Sequence, residues 1–422
     1  MEDIEFITYY DVENLYFRTY NNKKDKYENL NKLPEKNEMP NFHIPSKTKQ
    51  NFKNNDEDLK KYSLQLLKDR EQIYNICEYD YFKFETKNGT LYHNHSSSIE
   101  GFFNFYAKKQ PSYTAHKKID KIENIWFNNC YNAGLMSVES GTFDNVKIVD
   151  FKRYYQYLMT REYLKIPLHF KEDISKYNAE LKNLKIVPKN IMIGIYRVKI
   201  TCDNTDFKKI FAFSKNHHYT HFSLKFCVEH KEEFNINIDL IIDGKPNALV
   251  YHQNMCEPFK KVCYKWSDSL DDLKLKCSKD NTIIKLLSSS LWGRLIKSRK
   301  INILRDDFIK NYTHISSGDI NDDKEYFIDY IHPEGKYYKL IKKDDPYFYN
   351  FRLKPFLTDL GRITMAETML QIGVSNVKRV YTDSIAFIDN NNINIKQLDG
   401  NLELEDSGKF IFSKVNKKPE KL

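Results

Sequence analysis

Two carboxylates and one ammonium group are the residues through which this chain could do chemistry. The run Val380-Tyr381-Thr382-Asp383-Ser384-Ile385-Ala386-Phe387 sets an acid between two hydroxyls and flanks them with apolar residues, which predicts a tight β-hairpin with Asp383 at its tip. Alone, such a tetrapeptide is equally what an ordinary turn uses. Upstream, Val149-Asp150-Phe151-Lys152-Arg153-Tyr154-Tyr155-Gln156 puts Asp150 at the end of a short apolar strand, 146–149, and ahead of a helix over 157–163. Between them stands Lys285-Leu286-Leu287-Ser288-Ser289-Ser290-Leu291-Trp292-Gly293, where a helix would put Lys285, Ser289 and Trp292 on one face. If a sheet joins Asp150 to Asp383, the two charges repel unless cations separate them. A pair of Mg²⁺ ions ~3.5–4 Å apart would bind both acids, lower the pKa of an attacking hydroxyl and clamp the leaving oxygens of an in-line phosphoryl displacement. Lys285 would then offset the charge of a triphosphate, with Ser289 and Trp292 against its base.

The elements that must position these groups follow from periodicity. Residues 21–58 are Lys-, Asn- and Pro-rich, with too few large apolar side chains to fold alone, and read as a linker or long surface loop. Leu59, Tyr62, Leu66, Ile73, Ile76 and Tyr79 recur at helical spacing, predicting a long helix over 59–84. A strand-like piece, a Gly-bearing turn and a second strand lead into a helix between Ile122 and Leu164. Residues 185–252 alternate as a sheet does, most clearly over 191–200 and 236–242. Helical spacing returns over 259–295, with two helices meeting near Ser267-Asp268-Ser269; strands follow over 301–345 and a helix over 353–372. This order predicts an α+β chain built around an antiparallel sheet.

Composition narrows the partners. The 422 residues suffice for two or three domains, and 67 Lys+Arg against 58 Asp+Glu give a formal net charge of +9, a mild preference for an anionic partner. Thirty Tyr and 28 Phe mixed with Lys suit a groove in which bases stack on rings and ammonium groups meet phosphates, although A+T-rich coding sequence favours the same residues. The seven cysteines (Cys77, Cys130, Cys202, Cys227, Cys256, Cys263, Cys277) are odd in number and form no C-x-x-C pair, so they read as reduced thiols rather than a disulfide frame or zinc site. The acidic start lacks a signal peptide's pattern, and no run of about 18 apolar residues occurs. A soluble, intracellular protein is expected, with no membrane partner.

In their order and spacing the three motifs resemble those of family B DNA polymerases, especially the branch of viruses, linear plasmids and related mobile elements that includes protein-primed enzymes. Asp150-Phe151-Lys152-Arg153-Tyr154-Tyr155-Gln156 resembles the first family motif, D-x-x-S-L-Y-P. Lys285 to Gly293 resembles the second, K-x-x-x-N-S-x-Y-G, and Arg379-Val380-Tyr381-Thr382-Asp383-Ser384 the third, Y-x-D-T-D-S. The resemblance spans about 131–409. Within it, Tyr131-Asn132-Ala133-Gly134 resembles the template-touching Y-x-G-G/A element, and Lys354 to Arg362 the start of the helix before the third motif. Tyr219-Thr220-His221 with Pro246 to Tyr251 resembles the viral insert ahead of the fingers. The resemblance implies Asp150, Asp383 and the carbonyl of Phe151 as ligands of two Mg²⁺ ions, and Tyr155 under the sugar, excluding a 2′-hydroxyl. Lys285 would bind the incoming phosphates, helped by Lys274, Lys276 or Lys279, while Ser289 and Trp292 line the nascent base pair. Tyr131, Gly134, Lys297, Arg299, Lys300, Thr382 and Ser384 would contact DNA. Implied partners are a primer-template, deoxynucleoside triphosphates and, in the protein-primed branch, a protein primer.

The sequence departs from the family pattern. Tyr381 stands where the first Asp of the third motif is usual, Arg153 and Gln156 replace Ser and Pro, and Ser289 replaces Asn. Asp11-Val12-Glu13 imitates the first exonuclease motif, but the stretch between it and Tyr131 is too short for that domain, with Asp69 a poor remnant of its last acid. The chain stops at Leu422, ahead of where the family pattern places a thumb domain, so the expectation is a chain without a thumb. Bland readings cover the rest: His93-Asn94-His95 lacks the context of a nuclease, and His217, His218 and His221 read as a polar turn rather than a zinc site. Trp266 and the run 347–351 read as core or sheet surface, while Lys297 to Lys300 is either a solvated face or a phosphate contact.

The expectation is a right-hand palm of antiparallel strands with helices on one face, a two-helix fingers element and β-rich inserts. Its segments are a polar N-terminal piece (1–58), an exonuclease tail (59–125), palm halves (126–184 and 351–422), inserts (185–255 and 294–350) and fingers (256–293). The expected activity is template-directed DNA synthesis in copying a viral or mobile-element genome. The alternatives are a weak or inactive nucleic-acid-binding remnant and, in third place, a two-metal nuclease using the same acids. The charge-preserving substitution Lys285→Arg separates enzyme classes: nucleotide incorporation should slow, whereas a nuclease, which needs no Lys285, should cut DNA at an unchanged rate.

Overall fold

Strands rich in aromatic residues open the chain. Phe6–Asp11, Tyr16–Asn21 and Lys26–Leu30 form an antiparallel meander, and Phe42–His43 joins the free edge of Phe6–Asp11 in parallel. Two of these strands fall where composition predicted a polar linker. Ladder bonding is indifferent to side-chain polarity, so a Lys- and Asn-rich segment can pair with its Tyr- and Phe-bearing neighbour without a core of its own. The computed structural model describes residues 6–11, 16–21, 26–30, 42–43, 60, 83–86, 89–92, 102–103, 106, 121–130, 133–167, 179–276, 282–289, 291–295, 298–311, 326–331, 337–346, 352–390, 392–399 and 401–422. The long helix predicted over 59–84, Asp69, the string 93–95 and the aromatic run 347–351 lie outside these residues, apart from Lys60 and a strand over Lys83–Thr86.

The chain divides into two compact units, 1–109 with 264–294 and 110–263 with 295–422. Between 259 and 295 the helical reading holds, but its break moves. A single helix, Lys260–Lys276, runs straight through Ser267-Asp268-Ser269, and shorter helices follow at Thr282–Ser289 and Leu291–Leu295. The Ser269 hydroxyl donates to the Lys265 carbonyl at 2.7 Å, so this residue of the polar triplet is satisfied inside the helix. Meanwhile Trp266, Leu270 and Leu273 carry the buried stripe across it. Trp266 is a core residue, edge-on to Phe103.

In the second unit, helix α1 (Lys121–Asn129) stands where a strand was predicted. Glu123, Trp126, Phe127 and Cys130 recur at three- and four-residue intervals and are all buried, a helical stripe that a short apolar window hides. After it come β1 (Met136–Val138), β2 (Gly141–Phe151) and α2 (Tyr154–Met159). Residues 185–252 do form a sheet around Gly194–Thr201, and they also hold helices at Thr205–Ile210, Lys231–Phe234 and α3 (His221–Glu229), which the alternation did not show. Likewise, helix Arg305–Asn311 interrupts the strands predicted over 301–345. Then α4 (Leu353–Ile372) matches the predicted helix, and β3 (Val377–Tyr381), β4 (Ser384–Ile388), β5 (Leu402–Phe412) and β6 (Glu420–Lys421) complete the unit's main sheet.

That sheet has six antiparallel strands in the order β6-β5-β2-β4-β3-β1. Alternation gives its two faces different tasks. Val149, Ile385 and Val380 are cross-strand neighbours and fully buried, whereas one residue along, Asp150, Ser384 and Tyr381 line up on the opposite face.

Helix α4 is buried nearly all round. Gly361 lets α2 approach, since a Cβ there would meet the Tyr154 ring at 3.3 Å, and the Tyr154 hydroxyl donates to the Gly361 carbonyl. The start of α4 is tied to α1 by a buried ion pair: Arg352 donates from Nε and Nη2 to the two Glu123 oxygens at 2.9 and 2.7 Å, and the Tyr251 hydroxyl adds a third bond at 2.8 Å. Breaking a buried pair leaves one charge uncompensated. Arg352→Met is therefore expected to cost ~3–5 kcal/mol of unfolding free energy, measured by urea denaturation, and Glu123→Gln/Arg352→Met together should cost less than Arg352→Met alone.

Candidate active site

The two acids meet across one strand boundary. Asp150 on β2 is the register partner of Ser384 on β4, and the Phe151 N–H donates to the Asp383 carbonyl at 2.8 Å. The hairpin turn is only Thr382-Asp383, since Tyr381 pairs with Ser384, and the Asp383 N–H closes it on the Tyr381 carbonyl at 2.7 Å. Both carboxylates are half-buried and line one cavity of about 700 Å³.

Thr382 sits at φ 59°, a conformation that a β-branched residue adopts at a cost of ~1–3 kcal/mol and that its surroundings must therefore enforce. Its N–H donates to the Leu135 carbonyl at 3.0 Å, and its side chain lies on Gly134, where a Cβ would come within 2.9 Å of the Thr382 Oγ1. Gly134, expected to touch DNA, thus supports the turn that presents Asp383.

Behind Gly134 lies a buried polar chain. The Arg362 Nη1 holds the Ala133 carbonyl at 2.7 Å, and its Nη2 pairs with Asp359 Oδ1 at 2.7 Å. The Asp359 carboxylate, 1% exposed, also accepts from the Thr220 hydroxyl and from the Ser223 hydroxyl and N–H at 2.6 and 3.2 Å, at the N-terminus of α3. Thr220 and the stretch Asp359 to Arg362, two separate pieces of the sequence, are therefore one assembly. His218 and His221 are buried beside it rather than placed in a polar turn: burial pushes their pKa values down to about 4 and about 3, and the His218 Nδ1 meets the Asn216 carbonyl at 2.6 Å.

Tyr155, on α2, is 7% exposed, and its phenol is pushed up to about 12 by burial and then by the charge of Asp383. Tyr154 is raised further, by burial, Tyr155 and Asp383. Both phenols are neutral donors close enough to Asp383 to feel it. The second unit thus brings together Asp150, Phe151, Thr382, Asp383, Ser384, Gly134 and Tyr155. Lys274, Lys285, Ser289 and Trp292 belong to the first unit, where Lys285 is exposed and its carbonyl accepts from the Ser289 hydroxyl at 2.5 Å. Trp292 lies on the next short helix, half-buried. Tyr131, Lys279 and Lys297 lie outside the described residues, and of Lys276, Arg299 and Lys300 only the backbone is described.

Sequence reasoning missed the remaining walls of the cavity: Arg379 on β3, Glu405 and Asp406 at a bulge of β5, and Lys418 and Lys421 from the last residues. Only the period-two placement of Arg379 behind Tyr381 could have pointed to one of them. Glu403 is the β5 partner of Asp150 and is ion-paired with Lys152. As a metal site, two carboxylates and a backbone carbonyl are hard oxygen donors. They fit Mg²⁺, which takes one or two carboxylates and fills its sphere with waters and substrate phosphates. Among the described residues no group of three or more His, Cys, Asp or Glu could hold a metal ion, so the site does not resemble an all-protein cage.

Compared with solved structures, the chain is similar to phi29 DNA polymerase complexed with single-stranded DNA (TM-score 0.50, 12% identity, 78% of this chain and 57% of that one). It is equally similar to phi29 DNA polymerase complexed with primer-template DNA and incoming nucleotide substrates (TM-score 0.50, 12% identity, 76% and 54%). The fold is polymerase-like. The chain spans a little over half the length of these structures. No protein-family model matches the sequence, and no curated protein is significantly similar to it. No helix among the described residues is long and apolar enough to cross a membrane.

The contact between Gly134 and Thr382 is testable by stability alone. Gly134→Ala should cost ~1–3 kcal/mol by overpacking, and adding Thr382→Ala, which removes the two nearest atoms, should restore part of the loss in a double-mutant cycle.

Proposed function

We propose that this chain is a template-directed DNA polymerase of the family B type, adding deoxynucleotides to a primer 3′ end. The observation that carries the reading is the pair Asp150 and Asp383, held half-buried on one cavity at the end of an antiparallel sheet, in a fold similar to a DNA polymerase. Asp150, Asp383 and the Phe151 carbonyl would hold Mg²⁺. Bound there, the metal would supply a nucleophile of lowered pKa and a clamp on the departing phosphate oxygens.

The chain's own residues do the rest. Asp150 and Asp383 fix where the reacting phosphorus lies relative to the sheet. Tyr155, neutral and buried on α2, forms the floor under the sugar and excludes a 2′-hydroxyl. Lys285 offsets the triphosphate charge, with Lys274 as a second cation, and Ser289 and Trp292 meet the base pair. A viral or mobile-element genome as template, and a protein primer, belong to the same reading through the three polymerase-like motifs. The alternative, a nucleic-acid-binding remnant, draws its support from Tyr381 and Ser289, which stand where the family pattern has Asp and Asn.

Primer extension with Mg²⁺ decides between them. Incorporation by the unsubstituted chain that falls at least ~10³-fold in Asp150→Ala and in Asp383→Ala supports the polymerase. Incorporation that survives either substitution removes the acids from the mechanism, and salt-sensitive DNA binding with no incorporation favours the remnant.

A further inference from the structure

The wall of the cavity next to the acids carries a buried cation that has no ion pair among the described residues and feels a carboxylate only through the charge of Glu405. Arg379 is 8% exposed, and its Nη2 donates to the Val415 carbonyl at 3.0 Å, while its Nε–H is buried without a hydrogen-bond partner. No described carboxylate lies within ion-pair distance of it, although Glu405 is exposed on the same rim. The guanidinium stands 4.9 Å over the ring of Tyr381. An unsatisfied buried donor on a charged group is destabilising, a cost that falls when an anion arrives. Lys421 is already taken by Asp406 at 2.5 Å, but Lys418, exposed at the cavity mouth, has no ion pair among the described residues.

Arg379 and Tyr381 are also where the third motif departs from Y-x-D-T-D-S. An Arg replaces the Tyr and a Tyr replaces the first Asp, so a wall that carries an acid in the family pattern carries a cation here. The two departures are in contact with each other, which makes them one change rather than two losses.

We propose that Arg379, Tyr381 and Lys418 form a phosphate-binding wall beside Asp150 and Asp383, and that its occupant is a phosphodiester of the bound DNA strand. This deepens the polymerase reading and rests on it for the identity of the strand. A nucleotide triphosphate offers the same phosphate chemistry. Tyr155, which would floor the nucleotide, does not line this cavity, and the cations here come from β3 and residues 418–421.

The test measures DNA binding without chemistry. A fluorescently labelled primer-template is titrated with the full chain in EDTA, at several salt concentrations, and the KM for nucleotide is measured separately by single-nucleotide incorporation. Arg379→Gln should weaken DNA binding ~10-fold and lower the slope of log K against log salt by about one, and Lys418→Gln should weaken it ~3-fold, each with nucleotide KM unchanged. Lys418 is exposed, so if Arg379→Gln fails to fold, Lys418→Gln decides by the same two readouts. The inference is overturned if folded variants bind DNA as tightly as the unsubstituted chain, if that chain binds no DNA, or if the loss appears in nucleotide KM with DNA affinity intact. Failure of the unsubstituted chain to incorporate nucleotide would remove the polymerase reading, while the EDTA titration would still decide the phosphate wall.

Discussion

Everything at the candidate site depends on one backbone hydrogen bond, from the Phe151 N–H to the Asp383 carbonyl at 2.8 Å. It locks the end of β2 to the tip of the β3–β4 hairpin, and so fixes the register that sets Asp150 opposite Ser384. Side chains alternate between faces with a period of two, so a slip of one residue would turn Asp150 into the core and bring Val149 to the cavity. Two like charges gain nothing from meeting, so the register must be enforced by groups other than the acids themselves.

The enforcement comes from behind. Three fully buried neighbours, Val149, Ile385 and Val380, fix the hairpin from the core side, and their burial is the large, non-directional term. The directional term is the chain Thr220–Asp359–Arg362–Ala133, which ends at Gly134 under the strained Thr382. Its two charged members, Asp359 and Arg362, are buried and hydrogen-bonded, the carboxylate by four donors, the condition under which buried polar networks hold geometry rather than loosen it. Helix α4 therefore joins the insert around α3 to the turn that carries Asp383.

The acids, the hairpin and α4 were legible because each is a local pattern: an acid between two hydroxyls, alternating apolar residues, and a 20-residue helix whose apolar positions dominate. Helix α1 was not, because its buried stripe includes Glu123, whose place in the core depends on Arg352, more than 200 positions away in sequence. The Lys260–Lys276 helix ran past its predicted break because Ser269 bonds back to Lys265, a choice that composition cannot show. The packing of Gly134 under Thr382 was not legible, since a motif names a glycine but not the threonine that needs its missing Cβ. The basic side of the cavity was invisible for a different reason: Arg379 and Lys418 come to line one cavity only in the folded chain, 39 positions apart in sequence.

The central claim is that Asp150 and Asp383 act together on divalent cations, and calorimetric titration tests it most directly. Mn²⁺ would be titrated into the chain bound to primer-template and a non-hydrolysable deoxynucleotide analogue, with Asp383→Asn as the comparison. The account predicts uptake of two ions by the unsubstituted complex and loss of at least one in Asp383→Asn. Equal uptake by both proteins, or none by either, would contradict it.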